Sequence, residues 1–297
     1  MKAPLRLGLL QYGIARIDSL EAYAARLDGL VGMAAPNADL LLMPEYACME
    51  LGSALAGCPD QPDPAAELRA VCAAGADILE IMRTAARRHQ VWLQPGSLPW
   101  EEDGTIRNRA PLIAPDGMLS FQDKHVMTRF ETEAWNVRAG DPPSVFETPW
   151  GLIGIAICYD SEFPTLVRAQ VAAGAWLILV PTCTDTLHGF NRVRLSARAR
   201  ALENQCYVAV APTVGDAPWL ATLDANRGRA GVYSPVDRGF ADDGVVVEGK
   251  LDEPGWIYAT LDPALLDAVR RDGAVRNDRD WPLSVPECSV QRPKAFP

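Results

Sequence analysis

Three side chains stand at the ends of apolar runs where buried structure should give way to loop. Glu45 follows ADLLLMP, Lys124 follows MLSFQ and Cys158 closes GLIGIAI. Taken singly they read as an exposed carboxylate, a solvated lysine and a core thiol, since free cysteine is mostly a small buried hydrophobe. Together they supply what thiol-based acyl transfer requires. A thiol near its free pKa of about 8.5 is mostly neutral at pH 7, so it needs a base to take its proton and a positive charge to favour the thiolate. Glu45 can be that base and Lys124 that charge. Lys124 and the backbone N–H of Tyr159 could then stabilise an oxyanion, and losing one such donor typically costs about 10²–10³ in rate. Asp160 is expected to fix the turn after Cys158 by pairing with a cation such as Arg168, a structural role.

The elements that must position these residues alternate. LRLGLLQ (5–11) reads as a strand, Asp18 with Glu21 suggests a capping box opening a helix through about residue 34, and ADLLLMP (38–44) is a second buried strand. Asp63 and Pro64 suit the N-cap and first turn of a long helix running to about His89, followed by strand VWLQPGS (91–97). Turns at Asp103-Gly104 and Asp116-Gly117 mark a hairpin region. The alternation resumes with GLIGIAIC, a helix over about 163–173, strand AWLILVP, a helix from about 190 to 203 and strand CYVAVAPTV. Strands near 230–234, 244–248 and 256–261 follow, and Asp262-Pro263 starts a short helix. In open α/β sheets, functional residues gather at strand C-termini, where Glu45, Lys124 and Cys158 fall.

With 297 residues, 48% hydrophobic and 22% charged, the chain can bury a sizeable core. A formal charge of −10 disfavours nucleic acid and anionic membrane as partners, because both need clustered Lys and Arg. The apolar stretch at the start is too short for a secretory or membrane segment, and no run of 18 apolar residues occurs, so a cytoplasmic protein is expected. Seven irregularly spaced cysteines do not form a disulfide framework, and three dispersed histidines give no metal-ligand rhythm. The absence of G-x-G-x-x-G between strand and helix excludes a dinucleotide site.

The segments LLMPEY, DKH and GIAICYDSEFPTLVRAQVAAGAWLILVPT, in this order, resemble the three signature segments of the nitrilase superfamily, the carbon–nitrogen hydrolases. The likeness extends through RARALENQCYVAVAPTVG to AGVYSP and spans about residues 5–262. It implies an α/β fold, a four-layer α-β-β-α sandwich, over residues 1–276, while 277–297, with Pro282, Pro286 and Pro293, reads as an extended tail. It implies a Glu45-Lys124-Cys158 triad without cofactor or metal, acting on a small amide through a Cys158 thioester. It also implies a second glutamate about ten positions after the lysine and seven before a glycine; Glu133 with Gly140 fits this spacing and Glu131 does not. A homodimer, or a higher homo-oligomer, is the implied assembly, with the helices after Cys158 and near 190–204 and the tail as contact candidates.

Two departures bear on selectivity. His125 follows Lys124 directly, where the family has one residue between them, so no role carries over to it. Where some carbamoyl-amino-acid hydrolases of the family place arginines after the cysteine motif, this chain has Ser161 and Glu162. Glu162 is expected at the pocket mouth, disfavouring anionic substrates unless Arg129, Arg192 or Arg194 reaches the pocket. The pocket itself should lie in loops around 129–139 and 182–192, with Tyr159, Glu162, Cys183 and Thr184 as candidate substrate contacts. Competing readings are a nitrilase using the same nucleophile, a cysteine–histidine hydrolase relying on His125 or His188, and an inactive nitrilase-fold binding protein.

Overall fold

In the computed structural model, which describes residues 3–57 and 62–284, strand β1 (Leu5–Gly13) organises the chain. Its side chains alternate between two cores, as a pleated strand requires. Leu5, Leu7 and Leu9 enter one cluster and Leu10 and Tyr12 the other. Helix α1 (Leu20–Ala34) follows, capped by Ser19, whose hydroxyl accepts from Ala22 N at 3.2 Å; the cap is thus one residue beyond the expected Asp18. Next come β2 (Leu40–Leu42), α2 (Gly52–Ala56), α3 (Pro64–Ala73) and α4 (Gly75–His89). The long helix expected over 63–89 is therefore two helices. They part at Ala74, next to Gly75, a poor helix former that packs on the Trp100 ring.

Strands β3 (Trp92–Gln94), β4 (Leu98–Glu102), β5 (Thr105–Ile113) and β6 (Leu119–Asp123) complete the first half, with both expected turns in place. A five-residue helix α5 (Arg129–Glu133) and an edge strand β7 (Val145–Thr148) precede β8 (Gly151–Ile155); neither was anticipated. Then come α6 (Pro164–Ala172), β9 (Leu177–Thr182), α7 (Leu187–Asn204), β10 (Tyr207–Asp216), β11 (Ala225–Asn226), β12 (Gly231–Tyr233), β13 (Val245–Glu248), β14 (Gly255–Leu261), α8 (Pro263–Asp272) and α9 (Asn277–Asp280). Residues 277–284, expected as extended tail, are instead α9 followed by a 3₁₀ turn, and the remainder of that tail lies outside the described residues.

The strand path runs β4-β5-β3-β2-β1-β10-β9-β8-β7. It curls into two stacked sheets that join where Tyr12 and Gly13 of β1 pair with Thr213 and Val214 of β10. One core lies between the sheets, bringing Leu5, Leu7, Leu9, Leu40 and Leu42 against Ile155, Leu177, Leu179 and Ala209. Helices α1 and α4 cover the outside of the first sheet through Leu27, Val31, Ile78 and Met82. Helices α6 and α7 cover the second through Val167, Val171, Val193 and Ala197. This is the four-layer α-β-β-α sandwich, and strands buried on both faces read as near-continuous apolar runs.

Candidate active site

Parallel pairing of β1, β2 and β3 on one sheet and of β8, β9 and β10 on the other brings several strand C-termini to a common edge. Glu45 leaves β2 two residues after Met43, whose N–H donates to Gln94 O at 2.9 Å. Gly96, at φ 90°, lets the neighbouring loop run against the Pro44 carbonyl, where any side chain would collide. Lys124 follows β6, its N–H held by Asn108 O and its carbonyl by Gly140 N, both at 2.8 Å.

Cys158 sits past β8 in a left-handed conformation, φ 48°, rare for a residue with a side chain and costing about 1–3 kcal/mol, a strain that persists only where the surroundings enforce it. The enforcement is visible. Ser161 Oγ donates to Cys158 O at 2.6 Å, Asp160 N to Ile157 O at 3.0 Å and Ala156 N to Leu179 O at 2.9 Å. The Tyr159 N–H next to it makes no hydrogen bond to any described residue.

The three side chains meet in a buried polar cluster. Lys124 Nζ donates to Glu45 Oε1 at 2.8 Å and to Glu131 Oε2 at 2.6 Å. Asn108 Nδ2 donates to Glu45 Oε1 at 2.9 Å and Glu131 Oε1 at 3.1 Å. The other Glu45 oxygen accepts from Cys183 N at 3.1 Å and Cys183 Sγ at 3.3 Å. Thr182 Oγ1 donates to Cys158 Sγ at 3.1 Å.

The expectation for the second glutamate is corrected here. Glu133 lies on the outer face of α5, its side chain 61% exposed and paired with Arg129 at 2.8 Å. Glu131 is the residue that faces Lys124. Thr128 caps α5, and its N–H and hydroxyl each donate to Glu131 Oε2 at 2.9 Å, so the capping box turns this carboxylate inward. The T-x-x-E pattern was the sequence signal for it; spacing to a glycine was the wrong guide. Asn108 was also missed, although an asparagine in register with the buried residues of β5 marks a polar contact inside the sheet.

Burial disfavours the charge on Lys124, yet Glu131 and Glu45 hold its pKa well above the ordinary lysine value. For Glu131 burial works in the same opposing sense, and Lys124 with the Thr128 and Asn108 hydrogen bonds outweighs it, holding the carboxyl below its usual range. The Cys158 thiol is pushed up, by burial first and by the Glu45 charge second, with Lys124 offsetting only part. The resting cluster therefore pairs the Lys124 ammonium with the Glu131 carboxylate beside a neutral Cys158 thiol.

Asp160 does not pair with Arg168, which instead contacts Asp278 at 2.8 Å. Its carboxylate accepts from Val126 N at 2.7 Å and His125 N at 3.1 Å, tying the Cys158 turn to the segment after Lys124. Burial lifts its pKa to about 6 against these hydrogen bonds. His125 Nδ1 lies 3.2 Å from the carbonyls of Gly140 and Asp141, which only accept, so that nitrogen carries its proton; His188 is exposed near the start of α7.

A cavity of about 480 Å³ opens onto the cluster. Phe130, Trp135, Tyr159, Val193 and Leu223 give it apolar walls, and Glu162, Cys183, Thr184 and Arg192 also line it. All four candidate substrate contacts, Tyr159, Glu162, Cys183 and Thr184, thus reach the pocket. Glu162 Oε1 is 3.4 Å from Arg192 Nε, whereas Arg194 is engaged by Glu248 and Arg129 by Glu133. Cys48, Cys72, Cys158, Cys183 and Cys206 are free thiols. Among the described residues no group of three His, Cys, Asp or Glu side chains could hold a metal ion, and no helix is long and apolar enough to cross a membrane.

A family model described as carbon-nitrogen hydrolase matches residues 6–271. The chain is similar to the probable hydrolase YhcX of Bacillus subtilis, 33% identical over 278 residues, covering 93% of this chain but only 53% of that protein. It is 30% identical to an omega-amidase of Xenopus laevis over 67% of this chain and 72% of the relative. Among solved structures, the amidase from Nesterenkonia sp. AN1, carrying the acetamide moiety of fluoroacetamide at its active site cysteine, superposes with a TM-score of 0.69. That match has 26% identity and covers 94% of this chain and 97% of the other.

Proposed function

The chain belongs to the carbon–nitrogen hydrolase family, and we propose that it is an amidase-type member cleaving the C–N bond of a small carboxamide through a thioester on Cys158. The observation that carries this reading is the buried contact of Lys124 Nζ with Glu45 Oε1 at 2.8 Å, beside a cysteine held in a left-handed turn at the pocket floor. Cys158 Sγ attacks the carboxamide carbon as Glu45 takes the thiol proton. The ammonium of Lys124 and the free Tyr159 N–H receive the oxyanion. Collapse breaks the C–N bond, Glu45 returns the proton to the leaving nitrogen, and ammonia or an amine departs. Water, deprotonated by Glu45, then hydrolyses the thioester to the free acid and restores the thiol.

Ammonia release from purified protein, measured over a panel of amides, carbamoyl compounds and nitriles, tests the reading. Turnover of amides, abolished in Cys158→Ala, is the expected result. Nitrile turnover without amide turnover would replace the amidase assignment, and full activity in Cys158→Ala would remove the nucleophile.

A homodimer is the assembly this reading carries. Its support is the outer face of α7, where Leu195 and Leu202 are exposed beside Val236 and border a cavity of about 240 Å³. A monomer by sedimentation at micromolar concentration would exclude it.

A further inference from the structure

One wall of the pocket is the excursion between β10 and β11, from which Ala221, Thr222, Leu223 and Asp224 line the cavity. Loops of this kind hold their shape through whatever satisfies their backbone donors. Ala217 N and Leu220 N bond within the excursion, to Asp224 O at 2.8 Å and Ala217 O at 2.9 Å. The amides at its tip do not. Ala221 N donates to Glu67 Oε1 at 2.9 Å, Thr222 N to Glu67 Oε2 at 3.0 Å and Thr222 Oγ1 to the same oxygen at 2.7 Å.

Glu67 belongs to α3, in the other half of the fold, and is 1% exposed. No cation pairs with it among the described residues, so these three donors are what holds its carboxylate. Gly52, at the start of α2, makes room for it: a Cβ there would stand 3.0 Å from Glu67 Cβ and 3.2 Å from its Cγ. A glutamate is thus carried across the α2–α3 contact to reach a loop 154 residues away in sequence. Its removal would leave the buried Thr222 amide and hydroxyl and the half-buried Ala221 amide without acceptors, a cost the loop avoids by moving.

We infer that Glu67 is a positioning residue that fixes the 221–224 wall of the pocket and so sets which acyl groups fit. The inference rests on the amidase reading for the words acyl group; the clamp on the wall does not depend on it. Glu67→Gln replaces one acceptor oxygen by a donor facing donors, and Thr222→Val removes a single hydrogen bond with nearly unchanged volume.

The test has two arms. Hydrogen exchange followed by mass spectrometry on peptides covering 217–226 should show exchange at least about tenfold faster in Glu67→Gln, and a smaller increase in Thr222→Val. Steady-state kinetics over straight-chain amides of increasing length should show KM and the short-versus-long preference changing by about tenfold or more, while kcat for the shortest amide changes by less than about threefold. Unaltered exchange in both variants would overturn the clamp. An equal kcat loss for every amide, with unchanged preference order, would reduce Glu67 to a stabilising residue and overturn its part in selection. Should the wild-type enzyme cleave no amide, the proposed function falls, and the exchange arm alone decides whether Glu67 holds the wall.

Discussion

Cys183 gives Glu45 Oε2 two hydrogen bonds, from its backbone N–H at 3.1 Å and from its thiol at 3.3 Å, so the oxygen not bound by Lys124 and Asn108 is occupied in the resting site. A thiol is a weak donor, easily displaced when Cys158 or water offers a proton. Two thiols therefore share one base, and only Cys158 stands in the strained turn with a free N–H beside it. Cys158→Ala is expected to abolish hydrolysis, and Cys183→Ala to lower it by less than about tenfold. Peptide mapping by mass spectrometry after rapid quench should place the acyl adduct on Cys158. An adduct on Cys183, or equal losses in both variants, would reverse the assignment.

Glu131 and Glu133 offer a sharper separation, because a single residue divides the buried charge partner of Lys124 from an exposed carboxylate paired with Arg129. Glu131→Gln leaves the Lys124 ammonium with one anionic partner and should cost about 10²-fold or more in kcat, the scale of a lost electrostatic group in a buried site. Glu133→Gln should change kcat by less than about threefold, as surface ion pairs contribute little. Steady-state kinetics of the two variants side by side decide the matter, and a Glu133 effect as large as that of Glu131 would restore the residue the spacing favoured.

That contrast shows what the sequence could carry. Glu45, Lys124 and Cys158 were legible because each ends an apolar run, and a strand's polarity changes sharply where it leaves the sheet. The layered fold was legible from strands buried on both faces, such as Leu177–Thr182. Local order within loops was not. Glu131 and Glu133 differ only in which side of a five-residue helix they occupy, and that side is set by the Thr128 cap rather than by distance to Gly140. Asp160 and Glu67 escaped for another reason: their partners are backbone amides, which leave no mark in a sequence.

Asp160 should make activity pH-dependent without unfolding the protein. Its folded pKa of about 6 lies above its ordinary 3.8, so between these values the folded state holds a proton the unfolded chain has released. Its contribution to stability thus grows as pH falls through that window and is lost as pH rises. Protonation nevertheless removes charge from the acceptor of Val126 N and His125 N, loosening the link between the Cys158 turn and the Lys124 segment. The expected result is a kcat that falls by about three- to tenfold from pH 7 to pH 5 with the circular dichroism unchanged. Asp160→Asn should be slow and flat over the same range. A wild-type loss that tracks loss of folded signal, or an unaltered limb in the variant, would contradict this.

The pair at the pocket mouth sets the last expectation, since the sequence reading had Glu162 disfavour anionic amides unless Arg129, Arg192 or Arg194 reached the pocket. Arg192 stands 3.4 Å from it, its side chain 61% exposed, and also lines the cavity. A like-charge contact at about 4 Å is worth on the order of 4 kcal/mol at an effective dielectric near 20, and an opposite-charge contact the same with reversed sign. A substrate carboxylate between the two would feel both, and solvent at Arg192 screens what remains. Wild-type discrimination between matched neutral and anionic amides should accordingly stay within about tenfold. Glu162→Gln leaves Arg192 unopposed and should raise kcat/KM for the anionic amide by about tenfold relative to the neutral one. Arg192→Gln should lower it by a similar factor and favour an amine-bearing amide. Both shifts should shrink in 0.5 M salt, where the screening length is only about 4 Å. The measurement is kcat/KM for the three amides in the three proteins at two salt concentrations. Shifts of the same sign in both variants, or none, would show that neither charge meets the substrate.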